Sequence, residues 1–256
     1  MSIEAKVCIV TGGGTGTGAA CARQLAARGW RVLVNYSRSE TEALQTVAAC
    51  EAAGGEAMAV RGNVAEDADC RALADAALQR WARIDALVNS AGITKFAGAA
   101  KLEALDAEDF QRIYAVNVIG AYQMIRACAP AMQARGSGAV VNISSIAGVL
   151  GIGSSVAYVA SKGALNAMTL SLARALGPAI RVNAVCPGLI ETRWHSERFD
   201  AESYAKLKAG YEQSVPLATT ASADDVADAV LWLIEGARVV TGECLMVDSG
   251  KHLGKL

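Results

Sequence analysis

The chain has almost no net charge. Twenty-four Lys and Arg stand against 25 Asp and Glu, a formal −1 over 256 residues. A nucleic-acid-binding surface needs a positive excess and a disordered tail a bias of one sign, so neither is expected. The seven cysteines (8, 21, 50, 70, 128, 186 and 244) are scattered, with no C-x-x-C pair. Disulfide frameworks and zinc sites both need clustered spacing, so no metal is expected. The thiols read as small core residues in a reducing, cytoplasmic compartment. The opening "MSIEAKVCIVTGG" lacks a basic stretch ahead of a long apolar run, so no secretory signal is expected. Between Arg135 and Lys162 no residue is charged, a gap longer than the roughly 20 residues that span a bilayer. That gap is broken by glycines, serines and an asparagine, and reads as a buried strand, a loop and a helix start rather than a membrane segment.

Fifty-three per cent of the residues are hydrophobic, and no Pro/Gly/Ser linker divides them, so one domain over 1–256 is expected. Seven short apolar runs read as strands buried on both faces: 6–10, 31–35, 57–60, 86–89, 139–144, 180–185 and 244–247. Alanine-rich helical stretches lie between them. Residues 18–28 stop at Gly29, placed for a C-terminal cap. Residues 68–82 put Leu73, Ala77, Leu78 and Trp81 on one face. Asp106 is a candidate cap for a helix running to about 134, and Ser222 with Asp225 resembles a capping box. Repeated strand–helix alternation implies an α/β fold, a parallel sheet with helices on both faces. Segments 91–106 and 188–215 read as irregular, the second as a mobile flap.

Residues 11–18, "TGGGTGTG", hold five glycines directly after the first strand. Such density serves either a flexible connector or a backbone that must approach a ligand closely. Here a strand's carboxyl end meets a helix N-terminus, whose free N–H groups and dipole favour an anion. No Lys-Ser/Thr follows, which excludes a P-loop, and G-x-G-x-x-G is matched only approximately. Tyr158 and Lys162 stand four apart in a stretch of helical character, on one face. A free phenol has a pKa near 10. A nearby ammonium would lower it and fit the phenol to exchange a proton with a carbonyl or alcohol oxygen. Alone, such a pair also suits a solvated helix face.

Thr11-Gly12-x-x-x-Gly16-x-Gly18, "NSAG" at 89–92, Asn117, Ser145, Tyr158-x-x-x-Lys162 and "PG" at 187–188, in this order and spacing, resemble the short-chain dehydrogenase/reductase family over almost the whole chain. The resemblance implies a three-layer Rossmann-type fold with a seven-stranded parallel sheet, binding NAD or NADP at the switch point. It makes Ser145, thirteen residues before the tyrosine, the group that orients the substrate oxygen. Asn117 becomes the holder of a water that links Lys162 to solvent. Cofactor contacts carried over are Gly12, Thr15, Gly16, Thr17, Gly18, Asn63, Val64, Asn89, Ala91, Gly92, Pro187, Gly188, Ile190 and Thr192, with Tyr158 and Lys162 themselves. The family is typically tetrameric, so a homo-oligomer built on the long helices near 106–134 and 155–176 is expected.

The family's acidic position after the second strand falls on Tyr36, followed by Ser37 and Arg38. With no carboxylate there, and a hydroxyl and a guanidinium available for a 2′-phosphate, NADP(H) is expected over NAD(H). As a plain surface charge, Arg38 would decide nothing. Three positions depart from the family's pattern: Ser90, Asn63 and Ser249. Asn63 stands where an aspartate commonly bonds the adenine, a bond its carbonyl can also accept.

Thr94, Lys95, Phe96, Ala147, Ile152, Leu189, Trp194 and His195 are the expected substrate-facing residues, with His195 either a ligand for a polar group or an ordinary loop histidine. Texture such as "VNYSRS" resembles the 3-oxoacyl-carrier-protein reductases. The sparse basic residues at 135–138 and 176–183 fit a free small carbonyl substrate better than an acidic carrier. A cofactor-binding regulatory or scaffolding protein without turnover is the reading of another class.

Overall fold

In a computed structural model, which describes residues 5–196 and 199–254, the seven strands form one parallel sheet in the order β3-β2-β1-β4-β5-β6-β7. They are β1 Val7–Thr11, β2 Arg31–Tyr36, β3 Glu56–Arg61, β4 Ala86–Asn89, β5 Gly138–Ile143, β6 Ile180–Pro187 and β7 Cys244–Val247. The helices are α1 Gly16–Ala27, α2 Glu40–Ala52, α3 Asp67–Trp81, α4 Ala107–Tyr114, α5 Ala121–Arg135, α6 Ala147–Leu150, α7 Val156–Leu176, α8 Arg193–Ser196, α9 Ala201–Gln213 and α10 Ala223–Leu231.

Apolar residues fill both faces of each central strand, and the two-residue period divides them between two cores. In β1, Cys8 and Val10 join Leu25 of α1 and Val226, Val230 and Leu231 of α10. Val7 and Ile9 face the other way, toward Leu73 and Ala77 of α3 and Met124 and Met132 of α5. This is the Rossmann-type arrangement that the strand–helix alternation implied. All seven cysteines are free thiols, six of them buried. Among the described residues no helix is long and apolar enough to cross a membrane.

Local signals decide where the elements begin and stop. Asp106 and Ser222 each accept the backbone N–H three residues on, and Asp109 and Asp225 reach back to complete the capping boxes. Gly29, with φ of +79°, ends α1. One expected irregular segment is not wholly irregular: 188–215 contains α9, started by Asp200, whose carboxylate accepts from Ser203 N at 2.8 Å. The helix buries none of its residues, so it carries no apolar stripe from which the sequence could reveal it.

The chain crosses from β3 back to β4 beside β1, and the carboxyl ends of β1 and β4 therefore part into a crevice. Thr11 Oγ1 accepts from Ser90 N and Ala91 N, both at 3.1 Å, and joins the two strand ends. Gly12 adopts φ of +60°, and a Cβ there would lie 2.9 Å from Ala91 Cα. A Cβ on Gly18 would lie 2.4 Å from Gly12 O, so this glycine lets the first turn of α1 pack on the loop. Asn35 braces the loop from β2: its Oδ1 accepts from Gly12 N at 3.4 Å and its Nδ2 donates to Gly62 O at 2.9 Å.

The Ser249 departure has a backbone reason. Its φ is +56°, in the left-handed region that suits glycine. Ser249→Gly is expected to raise stability by up to about 1 kcal/mol, as relief of left-handed strain outweighs the added chain entropy. Gly18→Ala, which drives a methyl into Gly12 O, is expected to cost about 1–3 kcal/mol. Urea unfolding midpoints at constant slope check both.

Candidate active site

A cleft of about 1270 Å³ runs along the carboxyl edge of the sheet, from the glycine loop and the ends of β2 and β3 to α7 and α9. Ser145, Tyr158 and Lys162 line it from different elements, and Asn117 is buried beside Gly92 of its wall. Ser145 follows β5, Tyr158 and Lys162 share one face of α7, and Asn117 lies in a π-helical turn, Ala115–Gly120, between α4 and α5. Ser155 caps α7, its hydroxyl accepting from Tyr158 N at 3.2 Å.

Lys162 is 96% removed from solvent, with 4% of its surface exposed. Its ammonium donates to Ile143 O at 2.7 Å and stands 5.6 Å from the Tyr158 ring centroid. Two contacts hold its backbone: Ser144 Oγ donates to Lys162 O at 3.3 Å, and a Cβ on Gly148 of α6 would lie 2.4 Å from Lys162 C. Both Ser144 and Ser145 line the cleft, but Ser144 is buried and its hydroxyl is spent on the Lys162 carbonyl.

The phenol is not made acidic by its neighbour, contrary to the sequence expectation. Burial pushes the Tyr158 pKa up to about 12, only partly offset by a hydrogen bond from Ser145. Burial likewise lowers Lys162, from 10.5 to about 8. Desolvation outweighs attraction because the ammonium is directed at a main-chain carbonyl of β5 rather than at the phenol oxygen.

Asn117 is buried, and both ends of its amide are hydrogen-bonded. Its Oδ1 accepts from Ile93 N at 2.8 Å, while its Nδ2 donates to Ile93 O and Ser161 Oγ, each at 3.0 Å. The side chain therefore fixes the loop after β4, and Oδ1 retains a second lone pair. Oδ1 and Lys162 Nζ are near each other: a Cβ on Gly92 would lie 3.6 Å from the first and 3.8 Å from the second.

Of the expected cofactor contacts, Gly12, Thr15, Gly16, Thr17, Tyr36, Ser37, Arg38, Asn63, Val64, Ala91, Gly92, Pro187, Gly188, Ile190 and Thr192 line the cleft. Gly18 and Asn89 do not line it, and the Tyr36 hydroxyl is engaged outside it. Gly18 serves packing beneath the loop. The Asn89 side chain turns into the sheet, donating to Asn142 Oδ1 at 2.9 Å, while the neighbouring Ser90, Ala91 and Gly92 line the cleft. Tyr36 lines the wall, but its hydroxyl donates to Glu40 Oε1 at 2.8 Å, so it is committed to α2. Asn63 Oδ1 accepts from Ala65 N at 3.2 Å and retains a second lone pair.

Sequence reasoning missed Arg61, which pairs with Tyr36 in the sheet register and lines the cleft beside Arg38. Neither guanidinium has a carboxylate partner among the described residues. A nicotinamide dinucleotide fits this half of the cleft. The glycine loop offers backbone without side chains at the N-terminus of α1, and the two guanidiniums stand at the end of β2 and β3.

At the other end, Phe96, Ile152, Leu189 and Trp194 line the cleft as expected, and Trp194 tilts against Tyr158 at 6.0 Å between ring centroids. Thr94 is bound to Ser154, Oγ1 to Oγ at 2.6 Å, and Ala147 is buried. Lys95 is directed away, its ammonium 2.5 Å from the Asp109 carboxylate. His195 lies outside the residues whose side chains are described. The segment after β6 crosses the cleft: Thr192 approaches Gly16, and Arg193 pairs with Glu42 at 2.7 Å and Ser39 at 3.0 Å.

A family profile described as "Enoyl-(Acyl carrier protein) reductase" matches residues 12–252. A protein of Streptomyces violaceoruber, named as a ketoacyl reductase of granaticin polyketide synthase, is 44% identical over 98% of this chain and 97% of its own length. A 3-oxoacyl-[acyl-carrier-protein] reductase of Synechocystis is 36% identical over 97% of this chain and 98% of its own. A crystal structure of a Burkholderia xenovorans chain described as a short-chain dehydrogenase/reductase superposes with a TM-score of 0.91 at 37% identity, covering 99% of this chain and 100% of the other. The chain is thus a member of the short-chain dehydrogenase/reductase family, a nicotinamide-dependent oxidoreductase acting on CH–OH donors.

Proposed function

We propose that this enzyme transfers a hydride between NADP(H) and the carbonyl or secondary alcohol of a small substrate. The observation that carries it is the convergence of Ser145, Tyr158 and a buried Lys162 in one cleft whose other end presents Arg38 and Arg61. Bound beside them, the nicotinamide supplies the hydride. The Ser145 hydroxyl donates to the substrate oxygen and stabilises the charge that builds there. Tyr158, with its pKa near 12, stays protonated at neutral pH and holds the proton that the oxygen receives. Lys162 holds positive charge near that oxygen, anchored to Ile143 O at the end of β5. Such an arrangement has little use in a scaffolding protein without turnover.

Arg38 and Arg61 support NADP over NAD, since each can form charge-assisted hydrogen bonds with a 2′-phosphate. The exposed Ile119, Tyr122, Val156 and Leu170 on and beside α5 and α7 support a homo-oligomer through those helices. Seven free thiols are consistent with a reducing cytoplasm. The resemblance to ketoacyl reductases keeps 3-oxoacyl thioesters on a carrier as the second reading.

Three outcomes are expected. In an assay of NADPH oxidation against a panel of ketones, Tyr158→Phe lowers kcat by about 10²–10⁴-fold while NADPH binding persists. No turnover of any carbonyl by the parent protein would sink the reading. Arg38→Ala and Arg61→Ala each lower the ratio of kcat/KM with NADPH to that with NADH by about tenfold or more, and an unchanged ratio in both would remove NADP as the preferred cofactor. Because Lys162 loses its proton near 8, carbonyl reduction falls as pH rises through that value. Lys162→Met should remove that limb of the profile.

A further inference from the structure

The cations that line the cleft are not equivalent. Arg112 pairs with Asp109 at 3.0 Å and Arg193 with Glu42 at 2.7 Å. Lys162 is buried at the centre, and Arg38 and Arg61 stand at the cofactor end. Lys251 is different. It lies in a short 3-10 turn after β7, and its ammonium donates to Ser214 Oγ at 2.7 Å. It stands 5.6 Å from the Tyr211 ring centroid, a cation–π distance.

No carboxylate pairs with Lys251 among the described residues, although Asp248 is three residues away in the sequence. The Asp248 carboxylate is taken up by Gly250 N at 3.0 Å, His252 N at 2.8 Å and His252 Nδ1 at 3.0 Å. Glu191 is held by Lys208 at 2.8 Å and by Thr220 Oγ1 at 2.5 Å, and Glu212 lies 3.9 Å from Lys208. An ammonium has three donors, and one serine accepts only one of them.

Its surroundings connect it to the reacting end. Tyr211 donates through Oη to Asp248 O at 2.8 Å, and a Cβ on Gly188 would lie 1.9 Å from that same Oη. The ring beneath the ammonium is thus pressed against Gly188, one of the expected nicotinamide contacts. The cleft that holds both Lys251 and the Tyr158–Ser145 pair also carries apolar side chains. Phe96 meets Phe199 edge to face at 6.1 Å, and Trp194, Leu207 and Ile152 line the same cleft.

We propose that the substrate is amphipathic, with its carbonyl at Tyr158 and Ser145, an apolar body between the aromatic walls, and an oxyanion bound by Lys251. This rests on the hydride-transfer reading and gives its substrate a chemical class. The oxyanion is a carboxylate of the substrate itself or the phosphate of a phosphopantetheine arm. Both offer the same acceptor to an ammonium, and they are separated by the test.

The test compares matched pairs of substrates with NADPH. One pair type is 4-oxopentanoate, 5-oxohexanoate and 6-oxoheptanoate against their methyl esters. The other is acetoacetyl-CoA against acetoacetyl-N-acetylcysteamine. In the parent enzyme the anionic member of at least one pair is favoured. In Lys251→Met the ratio of kcat/KM for the anionic to the neutral member falls about ten- to a hundredfold, mainly through KM. Lys251→Arg retains most of the preference. The neutral partner serves as the internal control for folding and for the chemistry.

A Lys251-dependent preference among the keto acids identifies a carboxylate, and one confined to the CoA pair identifies the phosphate. Equal ratios in the parent and Lys251→Met for every pair overturn the proposal. If no carbonyl is reduced, the hydride-transfer reading fails on its own. The Lys251 question is then read from quenching of tryptophan fluorescence by 4-oxopentanoate. Quenching weakened about tenfold or more by Lys251→Met supports an anion site, and equal quenching rejects it.

Discussion

A lysine ammonium kept almost out of water at the carboxyl edge of the sheet is the constraint on which this site depends. Burying a charge is costly, and the cost is visible in the fall of the Lys162 pKa to about 8. The fold offsets it with one strong acceptor, Ile143 O at 2.7 Å, which is available because β5 ends there and its carbonyl has no further strand to bond. That placement demands close packing. α7 lies on α6 through the bare backbone of Gly148, and Ser144 Oγ seizes the carbonyl of Lys162. Ser161, one residue before, bonds Asn117, and Asn117 in turn fixes both polar groups of the Ile93 backbone. The geometry of the loop after β4 is therefore coupled to the position of the cation.

The cleft extends on either side of this point and changes character as it does so. Toward β2 and β3 it is built from backbone, glycine and guanidinium, suited to phosphates. Toward α9 it is built from aromatic rings and leucine and ends in an ammonium. The Arg193–Glu42 pair ties the segment after β6 to α2, across the first of these halves. Such a pair is well exposed at both ends and contributes little stability. Its consequence is positional: it sets where Thr192 and Trp194 face the cleft.

Much of this was legible in the sequence, and for identifiable reasons. The seven strands lie within one or two residues of their expected limits; the five inner ones read as unbroken apolar runs because they are buried on both faces, while the edge strands β3 and β7 are only half-buried, against expectation. Asp106 and Ser222 announce their helices through side chains that satisfy free N–H groups. What stayed hidden depends on the third dimension. α9 buries nothing and so shows no stripe. Arg61 and Lys251 become cleft residues only when β3 and the turn after β7 are brought to the same edge. Lys95 and Tyr36 stand where the sequence placed them, but Asp109 and Glu40 hold their polar ends elsewhere. The sign of the Tyr158 shift was misjudged because a four-residue spacing gives proximity, not the direction of the ammonium or the depth of burial.

That reversal has a consequence for the chemistry. A phenol with a depressed pKa would be partly ionised at neutral pH and ready to take a proton from an alcohol. A phenol near 12 is protonated at neutral pH and placed to give that proton. Reduction of a carbonyl needs a donor in this state, because the oxygen gains negative charge as it takes up the hydride. Oxidation needs the opposite, and the energy to remove the proton must then come from charge added to the cleft. The oxidised nicotinamide ring is itself a cation, whereas the reduced ring is neutral. On the proposed reading, ionisation of Tyr158 depends on which redox form of the cofactor is bound.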